Sequence, residues 1–477
     1  MSGDLPTIET DIPARLDRLP WSRFHLLVIV ALGVTWVLDG LEVTIVGAIG
    51  PLLQRPETLG LGTAQVGLMA SLYVAGAVIG ALGFGWLTDR VGRRPVFYAT
   101  LLLYLAGVLA SACAWGPASF GLFRLVTGLG IGGEYAAINS AIDELIPARL
   151  RGRIDLLVNG SFWLGAALGA AATPLLLDPT RLPLDLGWRL GFGIGGALGL
   201  SILVLRRYVP ESPRWLLTHG RADEAETIVA GIERRVAQAT GQPLARAEGR
   251  LRVRPRRRFG FRPIFAAMLG THRARSLLAL VLMIAQAFLF NAVFFTYGLV
   301  LTRFYGIADQ RIGLYLLPLA LGNFLGPLLL GPFFDRIGRR RMIAGTFLVS
   351  ALLLAATAAL FATGALSAIS QTAAWIAIFF FASAAASSAY LTASEIFPLE
   401  TRALAIAVFY ALGTLIGGST APWLFGRLIA TGAATPLALG YGGAALLLLV
   451  AAFTEWRLGI DAENKALEDI AAPLSAA

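Results

Sequence analysis

Gly85-Trp86-Leu87-Thr88-Asp89-Arg90-Val91-Gly92-Arg93-Arg94 and Gly331-Pro332-Phe333-Phe334-Asp335-Arg336-Ile337-Gly338-Arg339-Arg340 are two copies of one ten-residue stretch, set about half the chain apart. Each copy follows one apolar run and precedes another, so each reads as a tight hairpin between two helices. Glycine suits a turn that needs unusual backbone angles and close helix contact. The arginines hold the turn on one side of a bilayer, while the acid pairs with them or faces a helix N-terminus. Two copies in this setting mean that the protein consists of two similar halves.

Composition sets the class. Of 477 residues, 57% are hydrophobic and only 14% charged, and the mean hydropathy is +0.71. A soluble domain carries roughly 25% charged residues. The expected fold is therefore an all-α integral membrane protein of twelve transmembrane helices in two pseudo-symmetric six-helix halves, because open strands cannot satisfy their backbone in lipid and no strand-like alternation occurs. The single Cys113 lies in an apolar run, which excludes a disulfide framework and a thiolate metal site. The polar start of the chain carries no signal-peptide pattern, and the run from Phe24 is too long for one.

In the first half the expected spans are Phe24–Leu53, Val66–Leu87, Val96–Trp115, Phe120–Ser140, Leu156–Leu177 and Trp188–Tyr208. In the second they are Leu277–Phe304, Tyr315–Phe334, Met342–Ala362, Ala373–Leu391, Ala403–Ala430 and Pro436–Phe453. The domain division is thus a cytoplasmic N-terminal segment (1–23), a first half (24–208), a basic cytoplasmic linker with short helices (209–275), a second half (276–455) and a cytoplasmic tail (456–477). Within the linker, Pro210-Glu211-Ser212-Pro213-Arg214 is a helix stop and restart with Ser212 as cap, and Arg221–Ala239 alternates acids and bases like a solvated helix. Small residues four apart, Gly76/Gly80, Gly165/Gly169 and Gly322/Gly326, suit close helix packing.

The arginines orient the chain. With the N-terminus inside, the inner loops hold Arg90, Arg93, Arg94, Arg149, Arg151, Arg153, the linker and Arg336–Arg341. The outer loops and span ends hold only Arg55, Arg124, Arg181, Arg189, Arg303, Arg311 and Arg427. Both ends are then cytoplasmic, at the inner membrane of a bacterium. This accounts for the net charge of +10 without nucleic acid, and the Arg250–Arg258 run reads as an anchor facing anionic lipid. The expected partners are a small-molecule solute and membrane lipid, and the chain is expected to be a monomer.

The two hairpins, the polar linker and the twelve spans resemble the major facilitator superfamily across essentially the whole chain. The resemblance narrows to its sugar-porter and metabolite–proton symporter branch through Arg124-x3-Gly128-x-Gly130-x-Gly132-Gly133-Glu134, Glu144-Leu-Ile-Pro147 with Arg151-Gly152, Pro210-Glu-Ser-Pro-Arg214, and Ser394-Glu395-Ile-Phe-Pro398 with Arg402. Two features depart from sugar porters. Their closing Pro-Glu-Thr-Lys-Gly motif is missing; Phe453–Arg457 and Asn464–Ile470 stand near its place. The first span reads Asp39-Gly-Leu-Glu42, nearer the paired acids of aromatic-acid symporters.

An ionised carboxylate in a span is expensive and marks function. Asp39 and Glu42 are three residues apart on one helix face, and two acids in low dielectric raise each other's proton affinity. Arg124 is placed to pair with Glu42 when that acid is ionised and to be freed when it is protonated. By resemblance, Glu42 is the proton-coupling acid and Asp39 the first acid of the aromatic-acid pattern. Glu134 either lines the cavity or serves the cytoplasmic gate. On the inner side, Asp89 with Arg93 and Arg94, Glu144 with Arg151, and Asp335 with Arg339 and with Arg402 and Glu395 are expected to form salt-bridge clusters. In the superfamily that the chain resembles, such clusters hold the cytoplasmic side shut.

For the solute, Gln286 and Asn291 in the seventh span match by spacing a glutamine and an asparagine that bind hydroxyls in sugar porters, and Asn159 and Tyr390 fall near other sugar-contacting positions. Amides suit polyols because each offers donors and an acceptor. Phe290, Phe294, Phe295 and Tyr297 equally suit stacking on an aromatic ring, and the eleventh span (Phe409–Gly418) is poor in polar side chains. Gly128–Gly133 matches G-x-G-x-x-G, but a dinucleotide site needs a strand before it and a soluble βαβ unit around it. His25, His219 and His272 lie at span edges or in the linker, so no triad, metal site or cofactor is expected beyond the proton as coupling ion. The expectation is a secondary active transporter, not an enzyme: a proton symporter of a sugar or an aromatic or other organic acid. Proton-driven efflux of amphipathic compounds and a non-transporting nutrient sensor are the alternatives.

Overall fold

The computed structural model describes residues 8–53, 55–61, 63–176, 182–247, 249–253, 267–294, 296–307, 311–398 and 402–472. Residues 254–262 of the basic run and Phe295 lie outside them. Six long helices form the first half: Arg23–Leu53, Thr63–Val91, Arg93–Ala112, Pro117–Leu145, Ala148–Leu176 and Leu184–Leu205. The second half has a seventh span, Arg273–Phe294, followed by Tyr297–Tyr305, then Ile312–Arg336, Arg339–Ala362 and Ala368–Glu395. The eleventh span runs from Arg402–Gly413 through a π-helical turn, Thr414–Gly418, into Ser419–Ala430, and the twelfth is Ala434–Leu458. Among the described residues, eleven helices are long and apolar enough to cross a membrane. The fourth span is not one of them, because it carries Arg124, Glu134, Asp143 and Glu144, yet its 29 residues match its neighbours in length.

The internal repeat shows in the packing. The second span lies along the fourth and the first along the fifth. The third contacts the fourth and sixth, and the first also contacts the sixth. Adding six to each number gives the pairs of the second half: eighth with tenth, seventh with eleventh, ninth with tenth and twelfth, seventh with twelfth. The halves meet through the fifth span on the eighth and the second on the eleventh, two contacts that the same operation exchanges.

Small residues make these approaches close. A Cβ on Gly165 would stand 1.8 Å from the carbonyl oxygen of Val37, and one on Gly76 2.2 Å from that of Leu125. Gly128 and Gly132 pack in the same way on Tyr73 and Ala77, so the glycine run of the fourth span is a packing face. Both hairpins turn on a glycine in the left-handed region, Gly92 at φ 97° and Gly338 at φ 111°, where a side chain would be strained.

On the side that carries both hairpins, the linker forms Pro213–Thr218 and Ala222–Thr240. Ser212 caps the first of these, its Oγ accepting from the Trp215 amide at 2.9 Å. The fold is not purely helical: Ile8–Thr10 pairs antiparallel with Leu251–Val253, with Ile8 opposite Val253. A short helix, Ile12–Asp17, then buries Ile12 and Leu16, and Arg15 and Arg18 bond to Glu233 of the linker helix. Neither this strand pair nor the docked arm is expected from hydropathy, because three-residue strands carry no periodicity.

Candidate functional site

The first span brings Asp39 and Glu42 to the fully buried interior of the first half, 0% and 3% exposed. Glu42 Oε1 is paired with Arg124 of the fourth span, which is buried and does not snorkel outward. Asp39 accepts two short hydrogen bonds, from Tyr73 and from Tyr135, both at 2.6 Å. Tyr73 joins the two acids, because its ring lies 4.3 Å beneath the Arg124 guanidinium. A cation over an aromatic face in a dry site is worth about 2 kcal/mol. The three expected coupling residues therefore sit in one unit, completed by two tyrosines that hydropathy does not reveal.

Tyr135 carries the unit to the centre of the molecule. Its ring stacks on Trp36, with centroids 4.5 Å apart and planes at 9°, and meets Tyr410 edge-on at 4.9 Å. Tyr390 closes the group, 6.1 Å from Trp36 and 6.2 Å from Tyr410. Trp36 and Tyr135 belong to the first half, Tyr390 and Tyr410 to the second. Beside this box a second aromatic contact crosses the halves: Trp163 stacks on Phe290 at 5.4 Å, and Phe290 meets Phe379 at 5.0 Å. Flat, π-faced surfaces joined by tyrosine hydroxyls suit an aromatic ring bearing a polar group.

The expected solute residues divide. Tyr390 is in the box, and Gln286 is its hydrogen-bond partner. Asn291 donates to its own helix, to the Ala287 carbonyl at 2.7 Å, beside Gly418 of the π turn. Asn159 is bound within its own half: its amide donates to Asn139 and Asp155, and it is 6% exposed. Tyr297 is buried against Trp375 and Thr372, away from the box. The eleventh span, poor in polar groups by sequence, contributes Tyr410. Trp36 stands one turn before Asp39 and Tyr135 next to Glu134, and that adjacency is the one sequence signal that could have found them.

Glu134 is fully buried and tied to an arginine of its own half. It pairs with Arg206 at the end of the sixth span, and Thr100 donates to it at 2.6 Å. Arg206 also reaches Thr35 at 2.9 Å and lies over Phe97. This knot ties the first, third, fourth and sixth spans together.

The charges on the linker side pair differently from expectation. Arg93 bonds Glu144 at 2.6 Å and not Asp89, while Arg94 is exposed and its amide faces Glu211. Arg151 reaches Glu395 (3.7 Å) and Asp17 (3.4 Å), not Glu144; Arg402 approaches Glu144 (3.8 Å), not Asp335. Asp335 does pair with Arg339 at 2.7 Å, and Arg339 also holds Glu395 at 3.0 Å. The reason is the two-fold relation between the halves. Asp89 Oδ2 accepts the Leu404 amide at 3.1 Å, and Asp335 accepts those of Gly152 and Arg153 at 3.1 and 2.9 Å, so each hairpin acid caps a helix of the other half. Loop neighbours in sequence thus bond across the interface.

A glutamate also covers each hairpin turn. Glu211 accepts the Arg93 amide at 2.8 Å, and Glu463 accepts the Arg339 amide at 3.1 Å. Glu463 lies between Phe453–Arg457 and Asn464–Ile470, the two stretches near the place of the missing closing motif.

Among the described residues there is no group of three or more His, Cys, Asp or Glu side chains that could hold a metal ion.

Comparison with known proteins agrees with this architecture. The family described as "Sugar (and other) transporter" matches residues 43–458. The niacin transporter NiaP of Acinetobacter baylyi is 30% identical over 70% of this chain and 73% of its own. The 4-hydroxybenzoate transporter PcaK of Pseudomonas putida is 31% identical, but over only 45% of this chain and 46% of its own. Among solved structures, the proton:xylose symporter XylE of the major facilitator superfamily, bound to 6-bromo-6-deoxy-D-glucose, superposes with a TM-score of 0.77. It covers 94% of this chain and 98% of its own at 20% identity, a likeness of fold.

Proposed function

The chain belongs to the sugar (and other) transporter family, multi-pass membrane transporters and not enzymes, and on that premise we propose that it takes up a small aromatic carboxylate together with a proton. One observation carries the reading: Asp39, the partner of the Glu42–Arg124 unit, is hydrogen-bonded by a tyrosine whose ring is a wall of the aromatic box between the halves. The relatives named for niacin and 4-hydroxybenzoate agree with an aromatic acid. The sparse amides at the box favour it over a sugar.

The mechanism follows from charge balance. With Glu42 ionised, Arg124 is spent on it. A proton arriving from outside neutralises Glu42 and frees Arg124 for the solute carboxylate, whose ring lies among Trp36, Tyr135, Tyr390 and Tyr410, while Asp39 stays with its two tyrosine hydroxyls. The proton and the solute carboxylate together add no net charge to the site, which lowers the cost of loading it in a low-dielectric interior. The cross-half pairs at Asp89, Glu144, Asp335 and Glu395 then part on the linker side. The solute leaves, the proton follows, and the Glu42–Arg124 pair re-forms. The arginine bias makes the linker side cytoplasmic, at the inner membrane, with both termini inside.

The test is internal pH in proteoliposomes while sugars, aromatic carboxylates and cationic drugs are added in turn, to wild type and Glu42→Gln. Acidification with aromatic carboxylates, lost in the variant, is expected. Solute uptake with no pH signal in either protein overturns proton coupling. A response to sugars alone overturns the substrate class.

A further inference from the structure

The buried acids of the first half are almost all accounted for by a partner. Glu42, Glu134 and Glu144 face Arg124, Arg206 and Arg93, and Asp39 has two tyrosine hydroxyls. Asp143 and Asp155, close to the linker side, are different: both are 0% exposed, and among the described residues no cation lies within ion-pair distance of either. Asp143 has Arg402 and Arg151 nearby, whereas the one cation that faces Asp155 of the fifth span is Arg339.

The charges around it are committed elsewhere. Arg339 of the ninth span spends one nitrogen on Asp335 and the Phe334 carbonyl and the others on Glu395. Arg151, one turn before Asp155 on its own helix, faces Glu395, Asp17 and the Lys465 carbonyl. Asp335 of the eighth span is held by Arg339. The remaining groups facing Asp155, Asp143 of the fourth span and Glu395 of the tenth, are acids themselves.

Counting donors sharpens the point. The Asn159 amide nitrogen has two hydrogens but three acceptors: Asn139 Oδ1 at 2.9 Å, the Asp155 carbonyl at 2.9 Å and Asp155 Oδ2 at 3.1 Å. Asp155 Oδ1, Asn159 Oδ1 and both carboxylate oxygens of Asp143 receive no hydrogen bond. The cluster is short of protons. A buried, unpaired carboxylate beside two others is the costliest way to leave it, and a neutral carboxyl supplies the missing donor.

We propose that Asp155 is a second proton-binding site, distinct from the Asp39–Glu42 pair, which carries a proton while the linker-side gate is shut and releases it when the gate opens. Its place decides the coupling. Gly152 and Arg153, whose amides Asp335 caps, lie in the turn just before it, and Glu395, which faces it, is held by Arg339 and Arg151. Parting the halves removes those contacts and admits water to Asp155, so the closed state binds the proton more tightly than the open one. By linkage, a rise in pH on the linker side favours opening. The inference rests on the proposed opening of the linker side during transport but is independent of the solute and of Glu42.

The test uses pH-difference infrared spectra of the full chain in lipid nanodiscs, without solute, for wild type, Asp155→Asn and Glu42→Gln. The expected result is a protonated-carboxyl band in wild type at neutral pH, reduced by one carboxyl in Asp155→Asn and retained in Glu42→Gln. An Asp155→Asn spectrum that keeps the full band overturns the proposal. Labelling wild type with carboxyl-¹³C aspartate gives a check that needs no variant. The band must shift, and one that stays in place belongs to a glutamate and overturns the proposal equally. Because no transport is read, failure of the aromatic-acid reading leaves this result standing.

Discussion

The Arg124 guanidinium lies 4.3 Å over the ring of Tyr73, whose hydroxyl donates to Asp39 at 2.6 Å, so one side chain touches the cation of one acid and the oxygen of the other. Substitution can separate the two contacts. Tyr73→Phe keeps the face under Arg124 and removes only the hydrogen bond. A bond to a charged group contributes about 1.5–3 kcal/mol, so the maximal rate of proton-coupled uptake should fall roughly 10–100-fold. Solute exchange without net proton movement should survive. If exchange falls as far as net uptake, Tyr73 serves the solute and not the coupling.

The box predicts a different split. Trp36→Leu removes the stacked partner of Tyr135 and leaves both acids untouched. An aromatic pair contributes about 0.5–1.5 kcal/mol beyond area burial, so the KM for aromatic carboxylates should rise roughly 3–10-fold with little change in maximal rate. Initial-rate uptake at graded solute concentration measures both. A fall in rate at constant KM would remove Trp36 from the solute site.

Much of the fold was legible because hydropathy and the repeated hairpin are local signals. Asp39, Glu42 and Arg124 were legible as a group because charge inside a span is rare. The partners were not, because they depend on which half faces which. Glu144 and Arg151 are loop neighbours, yet each bonds across the interface, to Arg402 and Glu395. The aromatic box was hidden for a related reason: in a chain with 10% aromatic residues, Trp36 and Tyr410 look like any packing residue until two helices bring them together. Asp155 is not legible as a site because Arg151 stands one turn before it, and only the packing shows that this arginine faces Glu395 and Asp17 instead.

The N-terminal arm should respond to acid and to salt. Burial pushes the Glu233 carboxyl up, but the hydrogen bonds from Arg15 and Arg18 outweigh it and hold it below its ordinary 4.5. A lowered folded value means that the contact is at full strength above pH 4.5 and is lost as the pH falls through the lowered value. Cleavage of the arm by an acid-active protease should therefore be slow at pH 5 and fast once the pH has fallen below the lowered value. Glu233→Gln should cleave quickly at both, and high salt should raise cleavage of wild type by screening the pairs. Equal cleavage of wild type and Glu233→Gln at pH 5 would mean that the buried Ile12 and Leu16 alone hold the arm.

Gly152 is where the shut gate is least tolerant of one added methyl group. A Cβ there would stand 2.2 Å from Arg339 Nη1 and 2.7 Å from Asp335 Oδ1. Arg339 is the end of a flexible side chain, but it is pinned by Asp335 on one side and Glu395 on the other, so it cannot yield without releasing one of them. Once the halves part, the same methyl group meets nothing from the second half. Gly152→Ala is thus selective against the closed linker side, with the loss of a buried pair partner costing about 3–5 kcal/mol there. Net uptake should fall at least tenfold, because the site is rarely presented outward. Binding of solute from the linker side should persist or tighten, since the binding-competent population rises. Uptake in right-side-out vesicles and equilibrium binding in detergent separate the two. Unchanged uptake would mean that Arg339 moves aside at little cost and that the Asp335–Arg339–Glu395 contact is not what holds the halves together.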